Sequence, residues 1–559
     1  MPRTASVQTL RIHAALNSNS TEHEEETLTA DDASWILTNA FLILTMQSGF
    51  GLLEAGYVSS KNVANIMVKN IVDVTLGGVS YWMFGYALSF GTPSTWFCGY
   101  GGFFFDAAAS GDLVNAGSAY VHYVFQFSFA TTATTIVSGA IAERVKLHTY
   151  NMFSFLNTLV YCFPACWIWN GTGWLHALGF FDFAGSCVVH TLGGSSALVA
   201  TLLMGPRLGW SKTDKHSRAM SSPVTALTGA FMLWWAWLGF NCGSTFGVSG
   251  GLWRVSSAVA VNTLNASIGG ALTGLAISVV VKRGKYDIGY LLTAILSGLV
   301  SITGVAAVTT ARESMIIGSI GSVLAIGANE LLIRLGVDDP VGSVPVHFVG
   351  GTWGTLAVGL FGRTKYSSYF DVQNGLFHGG GMFQFGVQAL GVACVILYGS
   401  CSTFLMLMAL KRTVGLRLSP AEELLGADWI EHDVRSESVV EKIEIALKSL
   451  EQHGISIGGD QAKMEKGKSP NSTGRTNDAL KGWTNPEENI ERLLNEIKKP
   501  TVPISHHVRN VVGARISSKN SDPRFNLHLS SVVPVSNGAG GEETDRSDDL
   551  SLFTDKTTV

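Results

Sequence analysis

The stretch Val189-His190-Thr191-Leu192-Gly193-Gly194 is matched, 157 residues later, by Val346-His347-Phe348-Val349-Gly350-Gly351. Each copy sets one histidine inside an apolar run long enough to cross a bilayer. Hydrocarbon offers an ionisable group no water, so an intramembrane histidine marks a functional position by default. With five apolar segments per repeat, the number of crossings is odd and the second copy runs opposite to the first. That is the parity of an inverted repeat, whose functional groups gather near mid-membrane at the repeat interface. One such histidine alone reads as a core group bonded to a neighbouring carbonyl; a matched pair favours function.

Working outward, the 559-residue chain carries 63 glycines and only 14% charged residues, with a mean hydropathy of +0.27. Long apolar runs broken by short basic clusters fill the middle, and both ends are polar. The pattern predicts an all-α polytopic membrane protein. Eleven transmembrane helices are expected at 34–58, 70–91, 119–141, 148–169, 185–204, 223–244, 255–281, 287–308, 313–335, 342–362 and 383–410. They make a five-plus-five inverted repeat and one extra C-terminal helix. The expected division is an extracellular tail at 1–33, a transmembrane domain at 34–410 and a cytoplasmic regulatory tail at 411–559.

With the N-terminus outside, the inner loops receive Lys61, Lys69, Arg144, Lys146, Arg207, Lys212, Lys215, Arg218, Lys282, Arg283, Lys285, Arg334, Lys411, Arg412 and Arg417. Only Arg254, Arg312, Arg363 and Lys365 fall outside near spans, so the positive-inside rule fixes the N-terminus outside and the tail in the cytoplasm. The expected location is the plasma membrane. Residues 1–30 lack a signal-peptide apolar core, so the first span directs insertion. Asn19-Ser20-Thr21 is then a glycan acceptor on the outer side.

The net charge of −4 comes without a basic patch interleaved with aromatics, which argues against nucleic acid. The seven cysteines follow no zinc spacing and read as small buried hydrophobes, so no metal or cofactor is expected. Glycines and serines crowd the spans, letting helices approach closely in lipid. In the tail, Leu416–His432 is expected to dock on the inner face. Val440, Ile443, Leu447 and Leu450, then Ile490, Leu493, Leu494 and Ile497, form two helical stripes suited to self-packing or a partner. The ending Thr557-Thr558-Val559 suits β-addition to a PDZ-type groove.

Other residues suit a small cation. Trp169 ends the fourth span, Phe129 lies in the third, and Phe240 and Ser244 lie in the sixth. Aromatic faces attract cations and a serine hydroxyl accepts a hydrogen bond from an ammonium-like donor. An interfacial aromatic belt explains Trp234 and Trp235 as well or better. Asp182, just before the fifth span, reads first as a helix cap and second as a negative charge at the outer mouth.

These residues sit in a wider set of motifs. Asp182-Phe183-Ala184-Gly185 precedes His190, and Asp338-Asp339-Pro340 precedes His347. Gly239-Phe240-Asn241 precedes Ser244, and Gly139-Ala140-Ile141-Ala142-Glu143-Arg144 closes the third span. From about Asp32 to His432 the chain resembles the ammonium transporters of the Amt/Mep/Rh superfamily, within its Amt branch. The resemblance implies a pore gate of Phe129 stacked on Phe240, and an outer recruitment site of Trp169, Ser244 and Phe129. It also implies a twin-histidine relay of His190 and His347, Asp182 at the vestibule, and a homotrimer with one pore per subunit. Ammonium and methylammonium are the implied substrates, and the protein is implied not to be an enzyme. Ile430 stands where plant members carry a phosphorylated threonine, so that switch is absent here. Asn170-Gly171-Thr172 is a second sequon, at the mouth, where a glycan would crowd the pore.

Two other classes compete. Paired intramembrane histidines could ligate a haem, and an ammonium sensor could signal through its tail with little flux.

Overall fold

The computed structural model describes residues 28–110, 113–366, 369–370 and 372–434. The stripes expected at 440–450 and 490–497, the sequon at Asn19 and the Thr557-Thr558-Val559 ending lie outside them. In chain order the long helices are α1 (Ala30–Tyr57), α2 (Val63–Ser80), α3 (Leu113–Ala140) and α4 (Leu147–Trp169). Next come α5 (Ser186–Met204), α6 (Pro223–Gly243), α7 (Leu252–Val281) and α8 (Ile288–Thr303). The last are α9 (Ala311–Leu335), α10 (Val344–Phe361) and α11 (Phe383–Thr413), followed by the short α12 (Pro420–Leu425) and α13 (Ala427–His432). No strand occurs among the described residues.

Eight of these, α1, α4 to α7 and α9 to α11, are long and apolar enough to cross a membrane by length and composition. The other three fall short for physical reasons. α8 has 16 residues. α2 carries Lys69 and Asp73, and α3 a run of serines and threonines, all buried in the bundle rather than facing its surroundings. The sequence pattern places the second span at 70–91 and Lys69 in a loop. The helix instead starts at Val63, and Lys69 is fully buried. Its polar residues face neighbouring helices, which hydropathy alone reads as the end of a span. Among the cysteines, Cys162, Cys166, Cys187 and Cys242 are buried as expected, whereas Cys401 is exposed on α11.

Glycine sets the spacing of the bundle. A Cβ on Gly56 of α1 would lie 2.3 Å from the Ala226 nitrogen of α6, and one on Gly229 of α6 would lie 2.2 Å from the Leu53 nitrogen of α1. The two backbones therefore touch along much of their length, as small-residue packing in lipid allows.

One end of the bundle, called here the basic end, is knotted by ion pairs. The partly buried Arg207 guanidinium pairs with Glu143, and its Nε donates to Asp338 Oδ2 at 2.8 Å. Burial works against ionisation of Glu143, but the Arg207 charge and the Ser59 hydroxyl hold its carboxyl below the usual range. Arg144 donates to the carbonyls of Ala140, Ala142 and Asp338, so the knot joins the end of α3 to the loop before α10.

The segment after α11 docks on this end. Asp428 accepts from the N–H groups of Ala64 and Asn65 at 3.0 and 2.7 Å, capping α2, and Glu431 accepts from Leu147 N at 2.6 Å, capping α4. Both use the free N–H groups and positive dipole of a helix start. Lys61 Nζ donates to the carbonyls of Glu423 and Leu424, at 2.7 Å each.

Candidate functional site

The two histidine helices begin in the same way. Asp182, eight residues before His190, accepts four backbone N–H bonds: Oδ1 from Gly185 (3.0 Å) and Ser186 (2.9 Å), Oδ2 from Cys187 (2.7 Å) and Val188 (3.0 Å). Asp339, eight residues before His347, accepts from Gly342 N (3.0 Å) and Val344 N (2.7 Å). Burial pushes both carboxyls up, against the pull of these N–H groups. All of Asp182's named side-chain bonds go to the helix start and its side chain is buried, which is the capping arrangement read first from the sequence. Gly185, at φ 105°, supplies the left-handed turn that feeds the helix into this cap.

Each histidine then falls in a π-helical turn, Ser186–Thr191 in α5 and Val344–Val349 in α10. Such single wide turns inside α-helices recur at functional positions. The helices cross through reciprocal glycines. A Cβ on Gly194, four residues after His190, would lie 2.2 Å from the Phe348 nitrogen. One on Gly351, four residues after His347, would lie 2.8 Å from the Thr191 nitrogen. The close crossing brings His190 Nδ1 to 3.1 Å from His347 Nδ1, with the rings 5.2 Å apart between centroids and 20° from parallel. This is the hydrogen-bond distance of one N–H···N contact, so one ring carries the shared proton on Nδ1 and the other accepts it. In this arrangement the rings touch and leave no slot for a macrocycle between them.

From His190 the site continues as a column of rings. Trp237 stacks on His190 at 5.1 Å and 17°, and Phe240 lies 5.7 Å away. Phe240 in turn stacks on Phe129 at 4.0 Å and 14°, and Trp169 stands edge-on to Phe129 at 5.8 Å and 75°. The Trp169 indole donates to the Asp182 carbonyl at 2.8 Å, so the loop that caps α5 also orients this ring. Ser244, one turn after Phe240, donates to the Phe240 carbonyl at 2.9 Å, which leaves its oxygen lone pairs available to a donor. All the site residues named from sequence are buried. Trp169, Phe129, Phe240, His190 and His347 form one column of ring contacts, to which Ser244 and Asp182 are tied by backbone carbonyl bonds.

Two neighbours of the histidines were not singled out from sequence. Trp237 donates to Thr303 Oγ1 at 2.9 Å and walls His190, and Phe50 of α1 packs on His347 at 5.9 Å. The spacing of Trp237 to Phe240, three residues on one helix, was the signal for the first. For Phe50 the sequence offered none. Of the belt candidates, Trp235 is exposed and Trp234 is half-buried. Asn170 turns inward, its amide donating to the Ser89 carbonyl at 3.1 Å, so it is not presented for a glycan. Among the described residues no group of three His, Cys, Asp or Glu side chains could hold a metal ion.

Comparison with known proteins adds a family. The model described as Ammonium Transporter Family matches residues 34–436. A Caenorhabditis elegans protein named "Putative ammonium transporter 3" is 42% identical over 445 residues, covering 78% of this chain and 64%, less than two thirds, of its own length. "Ammonium transporter Amt2" of Archaeoglobus fulgidus is 39% identical over 72% of this chain and 87% of its own. Among solved structures, "Sensor Amt Protein" has 33% identity and a TM-score of 0.65, covering 72% of this chain and 98% of that one. The crystal structure of Saccharomyces cerevisiae Mep2 has 26% identity and a TM-score of 0.63, covering 71% of this chain and 89% of that one.

Proposed function

Because the chain belongs to the Ammonium Transporter Family, we propose that it is a plasma-membrane ammonium transporter whose pore is the column from Trp169 to His347. In this reading eleven helices span the bilayer, five and five in inverted relation with α11 added. The N-terminus faces outside, the basic end faces the cytoplasm, and three copies assemble with one pore each. The matching Asp–His and His–Gly spacings in α5 and α10 support the repeat.

The mechanism follows from desolvation. A bare charge at mid-membrane is costly, so an apolar pore refuses potassium and sodium alike. Ammonium differs in that it can give up a proton. Trp169, Phe129 and the Ser244 hydroxyl gather the cation at the mouth, where cation–π attraction contributes about 0.5–2 kcal/mol. The Phe129–Phe240 stack closes the way to hydrated ions. Beyond it the neutral histidine pair accepts and relays the proton while ammonia crosses. The observation that carries this reading is the 3.1 Å Nδ1···Nδ1 contact, buried behind two stacked phenylalanines.

The test is electrical recording of the full chain in a heterologous cell, with ammonium, methylammonium and potassium compared at several pH values. Currents for the first two and none for potassium are expected. A potassium current equal to that for ammonium would refute the deprotonation step. A sensor without flux, the second reading, predicts no ammonium current or uptake at parental surface density.

A further inference from the structure

Past the histidine pair, α1 carries a carboxylate that conduction through the histidines leaves unused. Phe50 packs on His347, and Glu54 follows one helical turn later on the same face of α1. The histidine helix approaches it from the other side as well. A Cβ on Gly139 of α3 would lie 3.1 Å from Glu54 Oε1 and 3.0 Å from the hydroxyl of Ser343, the residue at which the His347 turn begins.

Glu54 is 2% exposed. Its Oε2 accepts from Asn70 Nδ2 at 2.7 Å and Ser138 Oγ at 3.1 Å, and Asn70 is itself held by Thr135, which donates to its Oδ1 at 2.8 Å. The carboxylate is therefore fixed through one oxygen. Among the described residues no donor bonds to Oε1, and no cation hydrogen-bonds to the group. The buried ammonium of Lys69 has no hydrogen-bond partner among the described residues, and it lies 5.7 Å from the Tyr150 ring centroid. Among the described residues the charge of Lys69 reaches this carboxylate without a hydrogen bond, so the open oxygen has no directed cationic donor.

We propose that Glu54 is the acceptor of a second binding station for a small cation with N–H donors, ammonium or a methylated ammonium. It lies on the opposite side of the histidine pair from Trp169 and Ser244. The inference rests on the reading of the column as an ammonium pathway. Oε1 of Glu54 and Oγ of Ser343 are two directed acceptors, which suits a cation that binds through separate N–H bonds. Potassium needs a fuller shell of oxygens in place of its water. Asn70 and Ser138 position the carboxylate and do not touch the cation.

The test uses the full chain reconstituted in one orientation in proteoliposomes, with ammonium varied on one side at a time. In Glu54→Gln the half-saturating concentration on the Glu54 side should rise about tenfold or more, the loss of one charge-assisted bond, while that on the Trp169 side stays within about twofold. Equal affinities to the parent on both sides overturn the station. If Glu54→Gln does not reach the membrane, Glu54→Asp takes its place. Retracting the carboxylate by one methylene must weaken the Glu54 side alone, and parental affinity there overturns the station equally. Thermal unfolding in detergent reads the station without flux. Ammonium, and not potassium, should stabilise Ser244→Ala and no longer stabilise the Ser244→Ala, Glu54→Gln double variant. Such stabilisation without any current would overturn the pore reading and keep the station. Current with no dependence on Glu54 in either assay would do the reverse.

Discussion

Replacing Gly194 with alanine tests the crossing on which the histidine contact depends. The new Cβ would stand 2.2 Å from the Phe348 nitrogen and 2.5 Å from its Cα, which is backbone and cannot rotate aside. Ordinary contact begins at 3.4 Å, so α5 and α10 must part by roughly 1 Å in a close-packed core. The Nδ1···Nδ1 distance, 3.1 Å in the native packing, would then stretch to roughly 4 Å, beyond hydrogen-bond range. Overpacking of this kind costs about 1–3 kcal/mol of stability, which need not unfold the bundle. A misplacement of about 1 Å between reacting groups costs about a hundredfold in rate. Ammonium current normalised to surface protein should therefore fall by that order, with trafficking largely kept. Gly351→Ala should act alike, since its Cβ would meet Ser186 O at 2.5 Å and Thr191 N at 2.8 Å. Gly327→Ala on α9, with nothing within 4 Å of the new Cβ, is the control and should conduct like the parent. Parental current in both Gly194→Ala and Gly351→Ala would show that the histidine contact does not limit conduction.

Three further outcomes are expected. Ser244→Ala and Trp169→Leu should raise the half-saturating ammonium concentration a few-fold to about thirtyfold, the weight of interactions of about 0.5–2 kcal/mol each, with maximal flux less affected; collapsed flux at unchanged affinity would move both residues into the barrier. Truncation near Ile430 removes the Glu431 cap on α4 and should alter flux while size-exclusion of the solubilised protein still reports the parent's assembly; failure to traffic on truncation at 440, beyond the docked segment, would make the tail structural. An acidic residue in place of His190 should admit potassium alongside ammonium, because an opposite charge offsets the cost of a bare cation in a dry pore. Replacing both histidines with apolar residues should abolish ammonium current, and a parental current there would reduce the pair to packing.

What the sequence made legible follows the size of the physical penalties. An ionisable side chain inside twenty apolar residues is so costly that its appearance twice, in matched context, marked two residues that the structure brings into contact. Helices whose polar residues are buried against each other defeated the same rule. Lys69, Asn70 and Asp73 look like the flank of a span and belong to the interior of α2. Trp237 carried one signal, its three-residue spacing to Phe240, but it sits in a run that is apolar on all sides, and packing is what selects it over Trp234 and Trp235 as the wall of His190. Glu54 reads as an ordinary acid near a span end. Its burial depends on Asn70 and Ser138, 16 and 84 residues away, which no local pattern reports.

The spacing of the site is what the proposed inverted repeat would need for the proposed proton relay. Each histidine helix is capped by an aspartate eight residues upstream and touches its partner through a glycine four residues downstream. The crossing is thus self-complementary in the manner of a twofold interface, where the same contact is made in both directions. Such a crossing delivers two equivalent rings to one point, but a shared N–H···N bond cannot be symmetric. One ring must donate and the other accept, and the proton's position between them is the only difference that chemistry imposes at the centre. The surroundings add others. Trp237 lies flat against His190, whereas Phe50 meets His347 at 43°. Beyond the rings, Trp169 and Ser244 stand at one end of the column and Glu54 at the other. A neutral hydroxyl and aromatic faces hold a cation weakly, and a fixed carboxylate holds it more tightly. If Glu54 serves as the second station, the pore is bound to differ in apparent affinity from its two sides, whatever the symmetry of the helices that built it.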